Sequence, residues 1–254
     1  MTRAHQPDAV LRYADHPDGI IDVHLPGSSN GPSNGPSNGL SNGLTVLLVH
    51  GGFWRTAWDR THTRPMARAL ADAGFTVATP EYRRVGPGGS GGWPRTGADV
   101  RDAAEQLPDL LAGIGVAAGP VRAVGHSAGG HLVLWLATTG VALDRVVALA
   151  PVCDLRKAIT RGLGSDAARA FLDDIEPDEA DPQLLFDGMA PSDVRIVHGI
   201  DDDTVPVDLA RGFVARHSWV SLTEVPGGHF EPIEPGSVAW PTVLASLGSS
   251  PQSS

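Results

Sequence analysis

One stretch of the chain joins a short apolar run, a glycine-flanked serine and a second apolar run without any linker. Residues 121–124 have the length and composition of a buried strand, and they lead directly into the sequence GHSAG at positions 125–129. Residues 128–138 continue as an apolar stretch of helical length. A serine between a strand and a helix, with glycines two residues before and after it, is typical of a sharp, strained turn that exposes the serine hydroxyl. The pattern therefore predicts an α/β sheet with Ser127 as a catalytic nucleophile.

Apolar runs of strand length alternate with helical patterns along most of the chain. The predicted strands are residues 20–25, 46–49, 76–79, 121–124, 146–149, 195–198 and 221–225, and the predicted helices are residues 64–73, 99–111, 128–138, 207–216 and 237–247. This alternation is typical of a mostly parallel sheet with helices on both faces. A chain of 254 residues is of ordinary length for one such domain, so we expect a single α/β domain over residues 1–254.

Two segments do not follow the alternation. Residues 30–43 repeat asparagine, glycine and serine, a composition that cannot bury apolar surface and indicates a flexible low-complexity loop. We expect this loop to lengthen a hairpin connection between the strands at 20–25 and 46–49. Residues 155–190 are acidic and mixed and contain no clear strand, which favours a short lid over the site.

Charge and cysteine content limit the partners and the compartment. The formal net charge is −10 and the chain has one cysteine, Cys153. Nucleic acids and anionic membranes favour clustered Lys and Arg, so we expect neither as a partner, and a small-molecule substrate instead. A lone cysteine and the absence of a signal-like or membrane-length apolar run favour the cytoplasm. The oligomeric state is left open, a homodimer included.

A second glycine-rich turn follows the predicted strand at 46–49. The sequence HGGFW at positions 50–54 lies at the carboxyl end of that strand, where open α/β sheets bind their ligands. Glycines there let backbone N–H groups point towards a substrate. We expect the N–H groups of Gly52, Phe53 and Ala128 to form an oxyanion hole.

Three ring-bearing side chains next to these turns have predicted roles. His50 precedes a glycine turn, which suits a side chain that holds the loop by hydrogen bonds rather than one that reacts. Trp54 is expected to be a pocket wall or a core aromatic. In the site as predicted, Trp54 and Phe230 line the substrate pocket.

A serine hydroxyl needs a neighbouring imidazole as base, and that imidazole needs an acid. His131 lies on the helix after the nucleophile, His198 closes a strand and His217 lies late in a helix, so all three favour structural roles. His229 differs, because it lies in the glycine-rich loop after the last strand, where it can reach Ser127. His229 is therefore the predicted base.

The acid is expected after the preceding strand. There the chain reads Asp201, Asp202, Asp203, and the last of these could instead cap the following helix. Residue type and position alone leave all three aspartates as candidates for the acid.

No cofactor or metal is predicted. Residues 86–91 match the pattern G-x-G-x-x-G, but they start several residues beyond a strand and no helix start follows them. The sequence contains no HExxH, no paired CxxC and no calcium-loop spacing.

These motifs together resemble a known group. The sequences HGGFW at 50–54, GHSAG at 125–129 and PVCDL at 151–155, with Asp202 and His229, are similar to α/β-hydrolases with an HGGxW oxyanion motif, which include kynurenine formamidases and related carboxylesterases. The resemblance covers nearly the whole catalytic core and implies an α/β-hydrolase fold, a cofactor-free mechanism and a small lid.

The resemblance also bears on the acid and on the reaction. In this group the acid lies four residues before the proline of a Val-Pro pair, here Pro206, which implies Asp202. The expected function is hydrolysis of a small amide or ester, with an aryl formamide such as N-formylkynurenine as first choice. A carboxylesterase acting on short acyl or aryl esters is the alternative. A non-catalytic ligand-binding protein would lack a triad member, and none is missing here.

Overall fold

The computed structural model describes residues 5–27, 41–188 and 193–248. These residues form an eight-stranded sheet in the order β1-β2-β4-β3-β5-β6-β7-β8. The strands are β1 (Ala9–Arg12), β2 (Ile20–His24), β3 (Thr45–Val49), β4 (Thr76–Pro80), β5 (Val121–His126), β6 (Arg145–Leu149), β7 (Asp193–Gly199) and β8 (Ser221–Val225).

Strands β3 to β8 run parallel, and β1 and β2 add an antiparallel edge beside β4. Every residue of β3 and β4 is buried, as expected for parallel strands that are covered on both faces. The edge strand β8 leaves most of its residues partly or fully exposed.

The helices are α1 (Arg64–Asp72), α2 (Arg95–Gly113), α3 (Ala128–Leu136), α4 (Leu155–Thr160), α5 (Leu163–Leu172), α6 (Pro182–Leu185), α7 (Asp208–Arg216) and α8 (Trp240–Leu247). Alternate residues of β3 enter two different buried clusters, which therefore lie on opposite faces of the sheet. One cluster contains residues of α2 to α5 and α7, and the other contains residues of α1 and α8.

The strand register brings several loops to one edge. Val49 of β3 is paired with Gly125 of β5, and Gly199 of β7 is paired with Val225 of β8. Because parallel strands end at the same edge of the sheet, the loops after β3, β5, β7 and β8 leave it side by side.

The predicted architecture, a mostly parallel sheet with helices on both faces, is confirmed. The predicted hairpin between the strands at 20–25 and 46–49 is wrong, because β2 pairs with β1 and β4 and not with β3. The strand β1 was not predicted. Most of the low-complexity segment 30–43 lies outside the described residues, which resume at residue 41.

Helix bounds differ from the predictions by a few residues. Helix α2 begins four residues before the predicted start at 99, and α8 begins at Trp240 rather than at 237. The described part of the segment 155–190 contains α4, α5, a 3₁₀ turn (Pro177–Glu179) and α6, with no strand before residue 189, where the description stops. This segment is the crossover between β6 and β7.

Candidate active site

Ser127 lies at the turn between β5 and α3 in a strained conformation. Its φ is 55° and its ψ is −115°, a region that non-glycine residues rarely adopt. Its N–H donates to the Leu149 carbonyl at 2.8 Å, and its own carbonyl accepts from the Val152 N–H at 3.2 Å. The segment around β6 therefore holds the turn, and the Ser127 residue is only 2% exposed.

The glycines around Ser127 are required by close backbone contacts. A Cβ on Gly125 would lie 2.1 Å from the Gly129 carbonyl oxygen, and a Cβ on Gly129 would lie 2.1 Å from the Val49 carbonyl oxygen. Backbone atoms at such distances cannot move aside without disturbing the sheet. A Cβ on Gly51 would lie 3.1 Å from the Cβ of Ser127, so the loop after β3 runs directly beside the serine.

The structure brings His229 and Asp202 together. His229 Nδ1 lies 2.7 Å from Asp202 Oδ2, and both side chains are buried. Asp201 and Asp203 are exposed and neither has a hydrogen bond to His229 within the described residues. The chain fold thus singles out Asp202 among the three aspartates that the residues alone left open.

Asp202 is held as a carboxylate by several donors. Its Oδ1 accepts from the N–H groups of Thr204 at 2.9 Å and Val205 at 2.8 Å, and its Oδ2 lies 3.2 Å from His198 Nε2. Burial favours the neutral acid, but hydrogen bonds from His198 and His229 outweigh it and hold the pKa of Asp202 well below its usual range. An ionised Asp202 accepts a hydrogen bond from the Nδ1–H of His229, which keeps the proton on Nδ1 and leaves the lone pair on Nε2.

Two further histidines position this pair: His198, for which a structural role was predicted, and His126, which was not singled out from the sequence. His198 closes β7 and donates towards both Asp202 and the Val205 carbonyl. His126, directly before Ser127, has its Nε2 2.9 Å from the His229 carbonyl oxygen and its ring centroid 4.6 Å from that of His229. Burial lowers the pKa of His126 to about 3, so it is a neutral donor that ties the base loop to the serine turn. In the sequence, the one feature that could have indicated this role of His126 is its position directly before Ser127.

The loop after β3 has three consecutive residues with positive φ, namely Gly52 at 103°, Phe53 at 53° and Trp54 at 56°. Such strain in non-glycine residues is concentrated at functional sites. Among the hydrogen bonds of the described residues, none uses the N–H groups of Gly52, Phe53 or Ala128. The predicted oxyanion donors are therefore unpaired within the part of the chain that the structure describes.

His50 anchors this loop through a buried carboxylate that the sequence analysis missed. His50 Nε2 lies 2.7 Å from Glu81 Oε1, its Nδ1 lies 2.8 Å from the Gly51 carbonyl oxygen, and the Tyr82 hydroxyl donates to the His50 carbonyl at 2.8 Å. Burial would raise the pKa of Glu81, but His50 and Arg84 outweigh it and lower the pKa to about 2. In the sequence, the feature that could have indicated this role is the position of Glu81, a carboxylate directly after the end of β4.

Trp54 and Phe230, the two predicted pocket residues, lie in different surroundings. Trp54 is 1% exposed and stacks on Phe171 of α5 with ring centroids 4.5 Å apart, so it is a core aromatic instead of an open pocket wall. Phe230 is 52% exposed and contacts the rings of His229 and His126. Of these two predicted pocket residues, Phe230 is the one that presents its ring to solvent.

The crossover segment packs against the oxyanion loop. A Cβ on Gly164 would lie 2.6 Å from the Phe53 ring, and Arg55 Nη2 donates to the Ser165 carbonyl at 2.6 Å. These contacts support the predicted lid role of this segment, which stays a prediction.

Asp181 is a buried carboxyl within the crossover segment. It caps α6 by accepting from the Gln183 N–H at 3.1 Å and also accepts from the Arg156 N–H at 3.2 Å. Burial raises the pKa of Asp181 to about 6, and the nearby Asp154 acts in the same direction. Folding therefore disfavours the ionised form of Asp181.

Asp181→Asn is expected to change the pH dependence of stability. The unfolded chain loses the Asp181 proton at about pH 4, but the folded protein keeps it up to about pH 6, so wild type loses stability as pH rises through this window. Asparagine also caps helices and cannot ionise. The free energy of unfolding of the variant, relative to wild type, should rise by up to about 3 kcal/mol between pH 4 and pH 7. Urea denaturation at each pH measures it.

The matched control is Asp174→Asn, an exposed carboxyl of the same segment at a positive φ that asparagine tolerates. It measures how the loss of an exposed carboxylate from this segment changes the free energy of unfolding at each pH. If the difference between Asp181→Asn and wild type follows that of Asp174→Asn at every pH, the prediction for Asp181 is wrong.

Within residues 5–27, 41–188 and 193–248, no group of three or more His, Cys, Asp or Glu side chains could hold a metal ion. Cys153 is buried, and burial raises the pKa of its thiol. None of the helices described is both long and apolar enough to cross a membrane.

Comparison with known proteins adds a family match. Residues 46–247 match the protein family described as the alpha/beta hydrolase family. These residues include the oxyanion loop, the serine turn, Asp202 and His229. No curated protein matches the chain in sequence.

Several solved structures share the fold. Esterase B from Lactobacillus rhamnosis has a TM-score of 0.71 and 20% identity, over 96% of this chain and 84% of that one. A propionate-bound esterase from the planctomycete Thermogutta terrifontis has a TM-score of 0.70 and 21% identity, over 96% of both chains. Esterase 2 from T. terrifontis phosphonylated by sarin has a TM-score of 0.71 and 20% identity, over 94% of this chain and 92% of that one. At this identity, the likeness is one of fold.

Proposed function

The chain belongs to the alpha/beta hydrolase family, and on that premise we propose that it is a serine carboxylesterase that cleaves short acyl esters through an acyl-Ser127 intermediate. The proposal rests above all on the 2.7 Å contact between His229 Nδ1 and the ionised Asp202, held beside the serine turn by His126. The shared fold with esterases, one of them solved with propionate bound, supports an ester substrate with a small acyl group.

Acylation uses the three side chains in sequence. Ser127 Oγ attacks the ester carbonyl carbon as His229 Nε2 takes its proton, and Asp202 stabilises the imidazolium that forms. The carbonyl oxygen becomes an oxyanion that accepts hydrogen bonds from the N–H groups of the oxyanion loop and Ala128. When this intermediate collapses, the bond to the leaving oxygen breaks, and His229 gives its proton to that oxygen to release an alcohol.

Deacylation repeats these steps with water. His229 takes a proton from a water molecule that attacks the acyl carbon, and the same N–H groups hold the second oxyanion. Collapse breaks the bond to Ser127 Oγ, which recovers its proton from His229, and a carboxylic acid leaves. The positions of Asp202 and His229 stay unchanged throughout, because hydrogen bonds from neighbouring backbone and side chains hold both.

Aryl formamide hydrolysis is the second candidate. It is supported by the HGGFW sequence at 50–54, which resembles the oxyanion motif of kynurenine formamidases. The same acyl-Ser127 chemistry would transfer a formyl group and release an aromatic amine.

A substrate panel tests both candidates. kcat/KM is measured on p-nitrophenyl acetate, butyrate and octanoate and on N-formylkynurenine, with Ser127→Ala as the control. We expect the two shorter esters to be the best substrates. Faster turnover of N-formylkynurenine would favour the second candidate, and ester hydrolysis no faster than that of Ser127→Ala would rule out the first.

Gly52→Ala is expected to damage the oxyanion loop. At φ 103° an L side chain is strained, and the new Cβ would lie 2.3 Å from the Cβ of Trp58. Displacing one N–H donor typically lowers kcat by about 10²- to 10³-fold. Gly88→Ala is the control, because Gly88 also has a positive φ but open space around it. Equal kcat values for the two variants would show that Gly52 does not shape the hole.

A further inference from the structure

Two large aromatic side chains remain exposed beside the proposed catalytic serine. Trp58 is 45% exposed and lies on the oxyanion side, packed against Gly52. Phe230 is 52% exposed and lies on the side of the base, with its ring centroid 5.2 Å from that of His229 and 5.7 Å from that of His126. Each ring offers apolar surface to whatever enters the site from its side.

The loop that carries Phe230 is closed by its own hydrogen bonds. The Phe230 carbonyl accepts from the Ile233 N–H at 3.0 Å, and the Glu231 carboxylate accepts from the Gly228 N–H at 2.8 Å. Gly227 has φ 104°, and a Cβ there would lie 2.5 Å from the Glu231 side chain. The backbone of Phe230 is thus held in place before a ligand arrives, which lowers the entropy cost of binding to it.

The chemistry of ester cleavage decides which part of a substrate meets this ring. His229 must deliver its proton to the leaving oxygen, so the leaving group lies on the His229 side of Ser127. Phe230 directly follows His229 and contacts its ring. The leaving group therefore meets Phe230, and a flat aromatic group makes the largest contact with it.

The surroundings of Phe230 are acidic. Asp201, Asp203, Glu231 and Glu234 lie in the two turns that carry the acid and the base, and none of them forms an ion pair with a described residue. Residues 199–206 and 226–236 contain no Lys or Arg. The negative potential of these turns opposes the approach of an anionic leaving group.

We propose that Phe230 is the leaving-group-binding residue and that it makes the site selective for esters of aromatic alcohols that carry no negative charge. This inference rests on the proposed esterase function and adds the substrate class to it. Phe230 contributes contact with the leaving group, and the neighbouring carboxylates exclude its anionic forms.

The test uses three acetyl esters, ethyl acetate, phenyl acetate and 4-carboxyphenyl acetate. For each, kcat/KM is divided by the rate constant of its alkaline hydrolysis, which removes differences in intrinsic reactivity. Wild type should prefer phenyl acetate to both others, and the preference over 4-carboxyphenyl acetate should shrink at high salt. Phe230→Ala should lower the phenyl-to-ethyl ratio about tenfold, and Phe230→Tyr should restore it.

Trp58→Ala is the matched control, an exposed aromatic on the oxyanion side. It should lower kcat/KM on ethyl and phenyl acetate by the same factor and leave their ratio unchanged. Three results would overturn the inference. The phenyl-to-ethyl ratio could stay unchanged in Phe230→Ala, it could fall in Trp58→Ala as much as in Phe230→Ala, or wild type could use 4-carboxyphenyl acetate as well as phenyl acetate. If Phe230→Ala does not fold, Phe230→Leu, which keeps the apolar volume without a flat ring, takes its place. No turnover of any ester by folded wild type would instead refute the esterase proposal.

Discussion

Ser127→Ala is expected to lower kcat for ester hydrolysis by about 10⁵- to 10⁶-fold. The alanine variant cannot form the acyl intermediate, although the oxyanion donors and the Asp202–His229 pair remain in place. The strained φ of 55° is retained at residue 127, because the backbone hydrogen bonds to the β6 segment do not involve the side chain. Turnover should be measured with p-nitrophenyl butyrate at saturating concentration.

Covalent labelling separates loss of the nucleophile from loss of the fold. Wild type should react with a fluorophosphonate at one site, and mass spectrometry should place the adduct on Ser127. Ser127→Ala should melt within a few degrees of wild type and stay unlabelled. Labelling of the alanine variant, or full activity in it, would mean that another residue attacks the substrate.

Asp202→Asn is expected to lower kcat by about 10⁴-fold. An amide has no negative charge to stabilise the His229 imidazolium, and it favours the tautomer that places the proton on Nε2, where Ser127 must deliver its own. The loss should be largely in kcat, since Asp202 is buried behind His229. Steady-state kinetics on p-nitrophenyl butyrate provide the measurement.

The neighbouring aspartates, Asp201 and Asp203, provide matched controls for this substitution. Asp201→Asn and Asp203→Asn change the same charge one residue away, at exposed positions without a bond to His229. Both variants should keep most of the wild-type kcat. If either of them loses activity to the same extent as Asp202→Asn, the assignment of the acid is wrong.

The low pKa of Asp202 also bears on pH. Because hydrogen bonds hold this pKa well below the usual range, Asp202 stays ionised in mildly acidic solution. Its contribution to stability is complete above about pH 4 and is lost only as pH falls through its lowered folded-state pKa. Protonation of Asp202 is therefore not expected to limit activity above about pH 4.

Local sequence was enough for the parts of the site that depend on one short segment. The turn around Ser127 needs only a strand, two glycines and a helix in immediate succession, and all of these can be read from neighbouring positions. The same holds for the glycine turn at 50–54 and for the parallel sheet, because strand and helix periodicities are local properties. The loops that carry the base and the acid could also be predicted from the order of the strands along the chain, because that order places His229 and the three aspartates at one edge of the sheet.

What the sequence could not determine depends on contacts between distant segments. The pairing of β2 with β4, instead of β3, is a choice among strands with similar local patterns. Asp202 is distinguished from its neighbours only by its buried position against His229 and His198, and Glu81 only by its contact with His50, 31 positions earlier. The sequence by itself thus determined the fold class and the kinds of groups at the site. The tertiary structure decided which carboxylates are buried and paired, because burial and hydrogen-bond partners are set by segments far apart in the chain.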